Sequence, residues 1–329
     1  MKNFDETYNE LKNNNELNNV WREAKNQNKK VKRTTIIVLL IMDLIMILFL
    51  KKIDSSKFFI AYAIFLQLFM NVLVCLVVFT ITKLSKKQMN FTNEYKDKVL
   101  KKIMNNFYDE LEYFPNKPMP EYIYKEANYE RYDIYESNDY FEALINNKYG
   151  IQVAEVLTKE IDEQYKMNNM NNFDYKYQYG NQELSQNTEI KFRGLFAKID
   201  MGKSINSELK IMQDGKMIFE KNKVNMDSSE FEKYFDVKSS NQIITMQILT
   251  SDVMEELVEF ENKTKMKFDI YINNKELYIR FHSGSLSVDI SDFKNGALDE
   301  AIMKKYFYML NFTYNLSSRL IEVINDIEI

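Results

Sequence analysis

The sequence predicts an α+β protein in three parts: a two-helix hairpin, a helical stalk, and a mixed α+β domain with mainly antiparallel strands. Three observations predict this organisation. Two apolar segments lie close together early in the chain, and all three prolines fall in one short stretch. Beyond that stretch, strand-like and helix-like patterns follow one another without the strict alternation that a doubly wound sheet requires.

The N-terminal segment, residues 1–33, carries apolar residues at helical spacing between positions 4 and 24. This spacing predicts an amphipathic helix. Such a helix either lies on a membrane surface or packs against the soluble domain, and the sequence favours neither.

Residues 34–50 and 58–82 form two apolar segments, against the roughly 20 residues needed to cross a bilayer. Only seven residues, 51–57, join them, so the two predicted spans run antiparallel. Eight Lys and Arg residues flank the outer ends of the hairpin, whereas the connecting loop has three. This bias places both termini in the cytoplasm. We therefore expect a multi-pass protein of the cell (inner) membrane.

Asp43 interrupts the first apolar segment. The apolar residues around it favour insertion by about 5 kcal/mol, and a central Asp opposes it by about 3 kcal/mol, so insertion is still expected. Gln67 lies at a similar depth in the second segment, and Asn71 follows one turn later. The sequence thus predicts an intramembrane polar seam of Asp43, Gln67 and Asn71. The seam either fixes the hairpin or an oligomer by hydrogen bonding, or serves as a proton or ion relay.

After the second span, apolar residues recur every four positions from Phe91 to Leu111, which predicts a helical stalk over 83–114. Pro115, Pro118 and Pro120 then mark a boundary, so the cytoplasmic domain is predicted over 115–329.

Within the domain, residues 267–281 give the clearest pattern. Two runs of alternating apolar residues flank Asn273 and Asn274, which can adopt the left-handed conformations of a tight turn, and this predicts a β-hairpin. The remaining predictions are two strands within 140–161, the second ending there or running into a helix, a flexible loop over 162–187, strands within 188–201 and 207–226, a helix over 250–261 capped by Ser251 or Asp252, and a long helix over 298–326.

Charge and composition exclude several functional classes. The net charge of −4 divides into +3 for residues 1–33, +2 for 34–83 and −9 for 84–329. An acidic domain repels phosphate, so nucleic acid is not expected as a partner. Cys75 and His282 are the only residues of their kinds. No internal disulfide, metal site or cofactor is therefore expected.

Three further features bear on chemistry. Gly202, Lys203 and Ser204 match the end of a phosphate-binding loop, but Ala197 replaces the glycine that the motif requires. Alternation along the second hairpin strand places His282, with Tyr278 and Arg280, on the face opposite the apolar residues, as expected of a surface histidine. The tyrosines within 122–140 and 175–179 are consistent with an adhesive surface that contacts another protein.

The order of features resembles a bacterial membrane-protein family known as domain of unknown function 3137. The resemblance extends over residues 85–325. The sequences that carry it are LEYFPNKPMPEYIY, ESNDYFEALI, VAEVLTKEI, FRGLFAKIDM, the stretch from Phe231 to Phe260, and KELYIRF. The chain departs from the family pattern near Glu142 and at Ser251, where the family has a glycine and a proline. The resemblance implies an inner-membrane protein with a cytoplasmic domain of unassigned activity, associated with small membrane proteins of the LemA type.

These observations support a membrane-anchored binding or scaffold module without catalytic residues, whose partner is another protein or a second copy. The alternative is a membrane-tethered hydrolase or transferase that uses Asp139, Glu142 or Glu155 in a pocket. A third hypothesis is a hairpin that oligomerises into a conduit through Asp43.

Overall fold

The structure is a computed structural model that forms two compact units. It describes residues 1–12, 14–52, 66–78, 86–164, 187–213, 222–286, 293 and 296–327. The helical unit comprises residues 3–100 and 288–303. The sheet unit comprises residues 1–2, 101–287 and 304–329.

The helical unit begins with two helices where the sequence predicts one over 4–24. Its helices are α1 (Phe4–Lys12), α2 (Asn15–Lys52), α3 (residues 66–78) and α4 (Lys86–Tyr95), and α4 continues into a π-helical turn (Lys96–Leu100). The Asn14 side chain accepts a hydrogen bond from the Leu17 amide (3.0 Å). A capping Asn starts a new helix, which divides the predicted one.

Helices α2 and α4 pack against each other in this unit. The rings of Phe91 and Tyr95 lie 5.2 and 5.0 Å from that of Phe293. Lys98, in the π-helical turn, forms an ion pair with Glu16 of α2 at 2.7 Å. The ion pair joins the start of α2 to the turn that follows α4.

Part of the predicted hairpin lies outside the described residues. Of the second predicted span, 58–82, only 66–78 are described, and these are helical; 53–57 of the connecting loop are also outside. Within the residues described, no helix combines the length and the apolar character needed to cross a membrane.

The stalk helix is shorter than the 83–114 predicted. It resumes for one turn, α5 (Lys101–Met104), and residues Asp109–Phe114 then form a strand, β1. Tyr113 and Phe114 pair with Phe141 and Tyr140 of the next strand. This pairing overrides the helical spacing of the apolar residues.

Within the described residues, the sheet unit contains nine strands in the order β1-β2-β3-β4-β9-β8-β5-β7-β6. The strands after β1 are β2 (Ile134–Ile145), β3 (Tyr149–Ile161), β4 (Thr188–Asp200), β5 (Glu208–Met212), β6 (Lys223–Val224), β7 (Asp236–Ser239), β8 (Phe268–Asn273) and β9 (Glu276–Phe281). Every neighbouring pair is antiparallel. The predicted α+β class with a mainly antiparallel sheet is therefore confirmed.

The strands and loops of the sheet unit can be compared with those that the sequence pattern predicts. The predicted hairpin over 267–281 is β8 and β9, and Asn274 adopts a positive φ of 53° at the turn. Strand β3 remains a strand to Ile161, and residues 163–164, the last described before position 187, are helical. The loop predicted over 162–187 lies mostly outside the described residues, as do positions 214–221 of the predicted strand region.

Two long helices cover one face of the sheet. They are α8 (Ser251–Thr264) and α9 (Glu300–Asp326), and the short helix α7 (Gln242–Ile248) precedes α8. Phe260 of α8 stacks on Phe312 of α9 with ring centroids 4.0 Å apart, and Phe312 lies 5.1 Å from Phe268 of β8. Thr250 caps α8 by accepting a hydrogen bond from the Val253 amide at 3.4 Å. The cap of α8 is therefore Thr250, one residue before Ser251 and two before Asp252, the caps that the sequence predicts.

A second core covers the opposite face. The short helix α6 (Glu121–Glu126) and the loop that follows it lie over β3, β4, β8 and β9. The Tyr124 ring meets the Phe196 ring edge to face, 4.8 Å away. Because both faces are covered, β8 is buried along almost its whole length rather than alternating.

Gly194 marks a close approach between two strands. A Cβ atom at this position would lie 1.8 Å from the carbonyl oxygen of Phe281 and 2.9 Å from the amide nitrogen of Ser283. Only glycine fits here, because the backbone at the end of β9 lies too close to β4 for a side chain.

Candidate functional site

The structure brings the three residues of the predicted polar seam together. Asp43 Oδ1 accepts hydrogen bonds from Gln67 Nε2 and Asn71 Nδ2, each at 3.0 Å. Gln67 Nε2 also lies 3.4 Å from Asn71 Oδ1. One carboxylate oxygen therefore holds two residues one turn apart on α3. This arrangement fixes the register of α2 against α3.

The surface around the seam is apolar. Leu40 and Leu44 of α2 are 64% and 57% exposed, and Leu68 and Val72 of α3 are 60% and 59% exposed. Other exposed apolar side chains on the two helices are Ile36, Ile37, Val38, Ile41, Ile45, Leu66, Phe69, Met70, Leu73, Leu76 and Val77. A helix pair in water buries its apolar residues and exposes its polar ones. Here the distribution is reversed, and so large an apolar surface marks a contact with lipid or protein.

A buried charge network lies on the second face of the sheet unit. Arg280 of β9 and Asp269 of β8 are direct cross-strand partners, with Arg280 Nε 2.7 Å from Asp269 Oδ2. Arg280 also donates to Glu130 in the loop after α6. His282 Nε2 lies 2.7 Å from the same Asp269 oxygen. The network thus joins both strands of the hairpin to a loop about half the chain away.

Burial and pairing set the electrostatics of this network. The side chains of Arg280 and Asp269 are only 8% and 6% exposed. Burial raises the pKa of Asp269, but the hydrogen bond from His282 and the Arg280 charge outweigh it, so the pKa lies below its usual value. Burial lowers the pKa of Arg280, and the two carboxylates more than reverse this. Asp269 is therefore ionised at neutral pH beside a charged guanidinium.

Aromatic and hydroxyl groups complete the network. The Arg280 guanidinium lies 4.0 Å from the centroid of the Tyr129 ring, a cation–π contact. Glu130 Oε1 accepts hydrogen bonds from the hydroxyls of Tyr124 at 2.5 Å and Thr158 at 3.1 Å. The Tyr129 hydroxyl donates to the Tyr278 carbonyl at 3.1 Å. These contacts hold the loop after α6 on the sheet.

Sequence reasoning placed His282 correctly on an exposed position but missed this network. Tyr278 and Arg280, predicted beside it, are buried because α6 and its loop cover their face. The Asp269–Arg280 pair could have been predicted from the Asn273–Asn274 turn. The strand register that follows from this turn places Asp269 opposite Arg280. The tyrosines within 122–140 likewise contribute mainly to the second core rather than to an adhesive surface.

The structure separates Glu142 from Glu155, two of the three carboxylates of the alternative hydrolase or transferase. Asp139 accepts a hydrogen bond from the Tyr113 hydroxyl at 2.6 Å. Glu142 of β2 pairs with Gln152 of β3, so these two side chains lie on one face of the sheet. Glu155 follows Gln152 by three positions on β3, and side chains alternate between faces along a strand, so Glu155 lies on the opposite face. Glu142 and Glu155 therefore do not face a common pocket.

The segment that resembles a phosphate-binding loop has a structural role. Lys203 Nζ donates to the carbonyl oxygens of Ile327 at 2.6 Å and Asn325 at 3.2 Å, at the end of α9. A lysine at the C-terminus of a helix satisfies carbonyl groups that lack a helical partner. In the part of the chain that the structure describes, no group of His, Cys, Asp and Glu residues is arranged to hold a metal.

Comparisons with known proteins give a family match over part of the chain. The model of the family described as protein of unknown function (DUF3137) matches residues 190–321, which include Phe192 to Phe196, the Phe231 to Phe235 run and the β8–β9 hairpin. No curated protein matches the chain. Among solved structures, the crystal structure of the mycobacterial trehalose monomycolate transport factor A, TtfA, is similar with a TM-score of 0.32 and 7% identity, over 68% of this chain and 93% of that one. A likeness this weak supports no inference about fold or function. Residues 190–321 of this chain are therefore similar to the family of proteins of unknown function DUF3137.

Proposed function

We propose that the protein is a membrane-anchored binding or scaffold module, with both termini in the cytoplasm and an α+β domain that recognises a partner protein. The observation that carries the anchor is the reversed polarity of α2 and α3, whose apolar side chains face outward around an internal polar seam. Lipid accepts such an apolar surface and excludes an unpaired polar group.

The polar seam explains how a membrane anchor can contain the acidic residue Asp43. Two amide donors satisfy Asp43 Oδ1, so the residue that opposes insertion is hydrogen-bonded where it lies. The basic residues of 25–33 and 83–87 lie at the cytoplasmic ends of the proposed spans, in accord with their charge bias.

A binding role accords with the groups that the sheet unit brings together. Its buried charges, centred on Arg280, are engaged with one another and hold the fold in place. The region from residue 84 onward carries −9. A partner with a basic or neutral surface suits this charge, whereas a nucleic acid does not.

The anchor is testable with the single native cysteine. Cys75 lies in the second proposed span, so a membrane-impermeant maleimide should label it only after detergent is added. In a Cys75→Ser background, Ser55→Cys in the connecting loop should be labelled from outside intact cells. Glu322→Cys on α9 should be labelled only after the membrane is permeabilised. Labelling of Glu322→Cys from outside would refute the orientation, and release of the protein by alkaline carbonate would refute the anchor.

The binding role requires a separate experiment. The full chain, purified from mild detergent with a C-terminal tag, should retain a protein in near-equal amount, and residues 1–114 with the same tag should not. Small membrane proteins of the LemA type and a second copy of the chain are the first candidates to identify. A chain that retains no partner but turns over a metabolite would contradict the proposal and favour an enzyme.

A further inference from the structure

The polar seam between α2 and α3 contains hydrogen-bonding groups that the helix pair itself does not use. Asp43 Oδ1 accepts a bond from Gln67 Nε2 and another from Asn71 Nδ2, each at 3.0 Å. Among the residues that the structure describes, none donates to Asp43 Oδ2. We propose that a second copy of this chain supplies the missing donor, so that two hairpins associate through their seams.

The donors and acceptors of the seam make it complementary to a copy of itself. A side-chain amide has two N–H hydrogens and one carbonyl oxygen. Gln67 directs its two hydrogens to Asp43 Oδ1 and Asn71 Oδ1, whereas Asn71 directs only one, to Asp43 Oδ1. Within the described part of the chain, each seam therefore keeps one unused donor on Asn71. Its unused acceptors are Asp43 Oδ2 and the carbonyl oxygen of Gln67.

The three seam residues are accessible from outside the helix pair. Asp43, Gln67 and Asn71 are all half-buried, so the contact between the two helices covers only part of each side chain. Leu44 and Leu68, the residues that directly follow Asp43 and Gln67, are 57% and 60% exposed. A helix of a second copy can therefore reach the unused donor and acceptors across this apolar surface.

The membrane makes such a partner necessary, and this inference therefore rests on the proposed anchor. In water, solvent would satisfy the unused groups of the seam. Lipid has no donors or acceptors for them, and a polar group without a hydrogen bond is strongly disfavoured in the bilayer core. Helices that carry Asp, Asn or Gln within the bilayer accordingly associate through hydrogen bonds between these side chains. The partner proposed for the sheet unit is a separate one.

A two-fold axis along the membrane normal satisfies both copies at once. Because the two hairpins have the same orientation, their seams lie at the same depth. Asn71 of each copy then donates to Asp43 Oδ2 of the other, which makes the interface isologous. Each carboxylate accepts three N–H bonds, two from its own hairpin and one from the second copy, and these bonds counter the repulsion between the two carboxylates.

Crosslinking of the full chain in its membrane tests the contact through the native cysteine. Cys75 is exposed and follows Asn71 by one helical turn, so both residues lie on the same side of α3. Packed helices lie about 8–10 Å apart, and a bismaleimide with a spacer of about 10 Å should therefore give a covalent dimer through Cys75. The matched control is Phe69→Cys in a Cys75→Ser background, because Phe69 is 56% exposed on the opposite side of α3. A dimer of equal yield from the control would refute the specific contact.

Single-molecule photobleaching measures how strongly the copies associate. The full chain carries one fluorescent protein at its C-terminus and is diluted into lipid vesicles, where a dimer bleaches in two steps. Asn71→Leu removes the unused donor but leaves Gln67 bound to Asp43, and we expect it to weaken association about tenfold. Phe69→Leu is the control, since Phe69 lies away from the seam, and it should leave association unchanged. Association that Asn71→Leu does not weaken would refute the role of the seam.

The membrane anchor has its own readout, so the two proposals can fail separately. Resistance of each variant to alkaline carbonate reports the anchor. A chain that stays in the membrane but bleaches in one step at every dilution would refute the dimer and leave the anchor in place. Three or more steps would refute the two-fold contact and favour an oligomeric conduit. Release of the unmodified chain by carbonate would refute the anchor and, with it, the association through the seam.

Discussion

Substituting Gly194 with alanine tests the close approach of β4 and β9. The added Cβ would lie 1.8 Å from the Phe281 carbonyl oxygen, whereas a carbon and an oxygen normally approach no closer than about 3.3 Å. The two strands must therefore separate by about 1.5 Å. The obstructing atoms belong to the backbone, so no side-chain rotation relieves the clash.

The expected cost follows from what the separation breaks. It disrupts the end of the β4–β9 ladder at Leu195 and Phe281 and the hydrogen bond from the Gly284 amide to the Arg193 carbonyl, which is 3.1 Å long. Two or three lost hydrogen bonds at about 1 kcal/mol each, plus about 1–3 kcal/mol of overpacking, give roughly 3–6 kcal/mol. That is a large part of the stability of a typical domain, about 5–15 kcal/mol.

The assay is urea unfolding of the full chain in mild detergent, followed by circular dichroism. Gly150→Ala is the matched control, because a Cβ at Gly150 on β3 would meet nothing within 4 Å. We expect Gly150→Ala to change the unfolding free energy by less than about 1 kcal/mol. If the two variants unfold at the same urea concentration, the close approach is not present in solution and the argument fails.

Three further substitutions have defined outcomes. Arg280→Met should lower the free energy of unfolding in urea by about 3–5 kcal/mol, because it leaves Asp269 buried without its main cation. The control Lys275→Met removes an exposed ion pair and should lower it by less than about 1 kcal/mol. Equal losses would contradict the buried network. Burial raises the pKa of Glu276, so the folded state loses stability as the pH rises through that pKa and the carboxyl ionises. Glu276→Gln should therefore raise the melting temperature at pH 7 and not at pH 4. A gain at both pH values would contradict this reasoning. Asn241 caps α7 through the amides of the second and third residues after it, so Asn241→Ala should lower the unfolding free energy by about 1 kcal/mol, and no change would refute the cap.

The sequence was informative where a local pattern determines the structure. Alternation and an Asn–Asn turn predicted the β8–β9 hairpin, and a helical pattern predicted α8 and α9. Depth along two helices predicted which polar residues would meet Asp43, and the structure places Gln67 and Asn71 there.

Long-range packing was not readable in the same way. The stalk was predicted through residue 114 because its apolar residues fit a helix, but pairing with β2 makes 109–114 a strand. The second core was missed because its cover, α6 and the loop to Asp133, has no strong period of its own. The Glu130 contact with Arg280 spans 150 positions, which no local pattern encodes.

The order of strands has a consequence for how the chain folds. Strands β4 and β5 follow one another in sequence, yet β9 and β8 lie between them in the sheet. Until the ribosome has released residues 268–281, β4 has an unpaired edge, and such edges invite pairing with other chains. Contacts this distant also slow folding. We therefore expect the nascent chain to be prone to aggregation at the edge of β4 until β9 pairs with it.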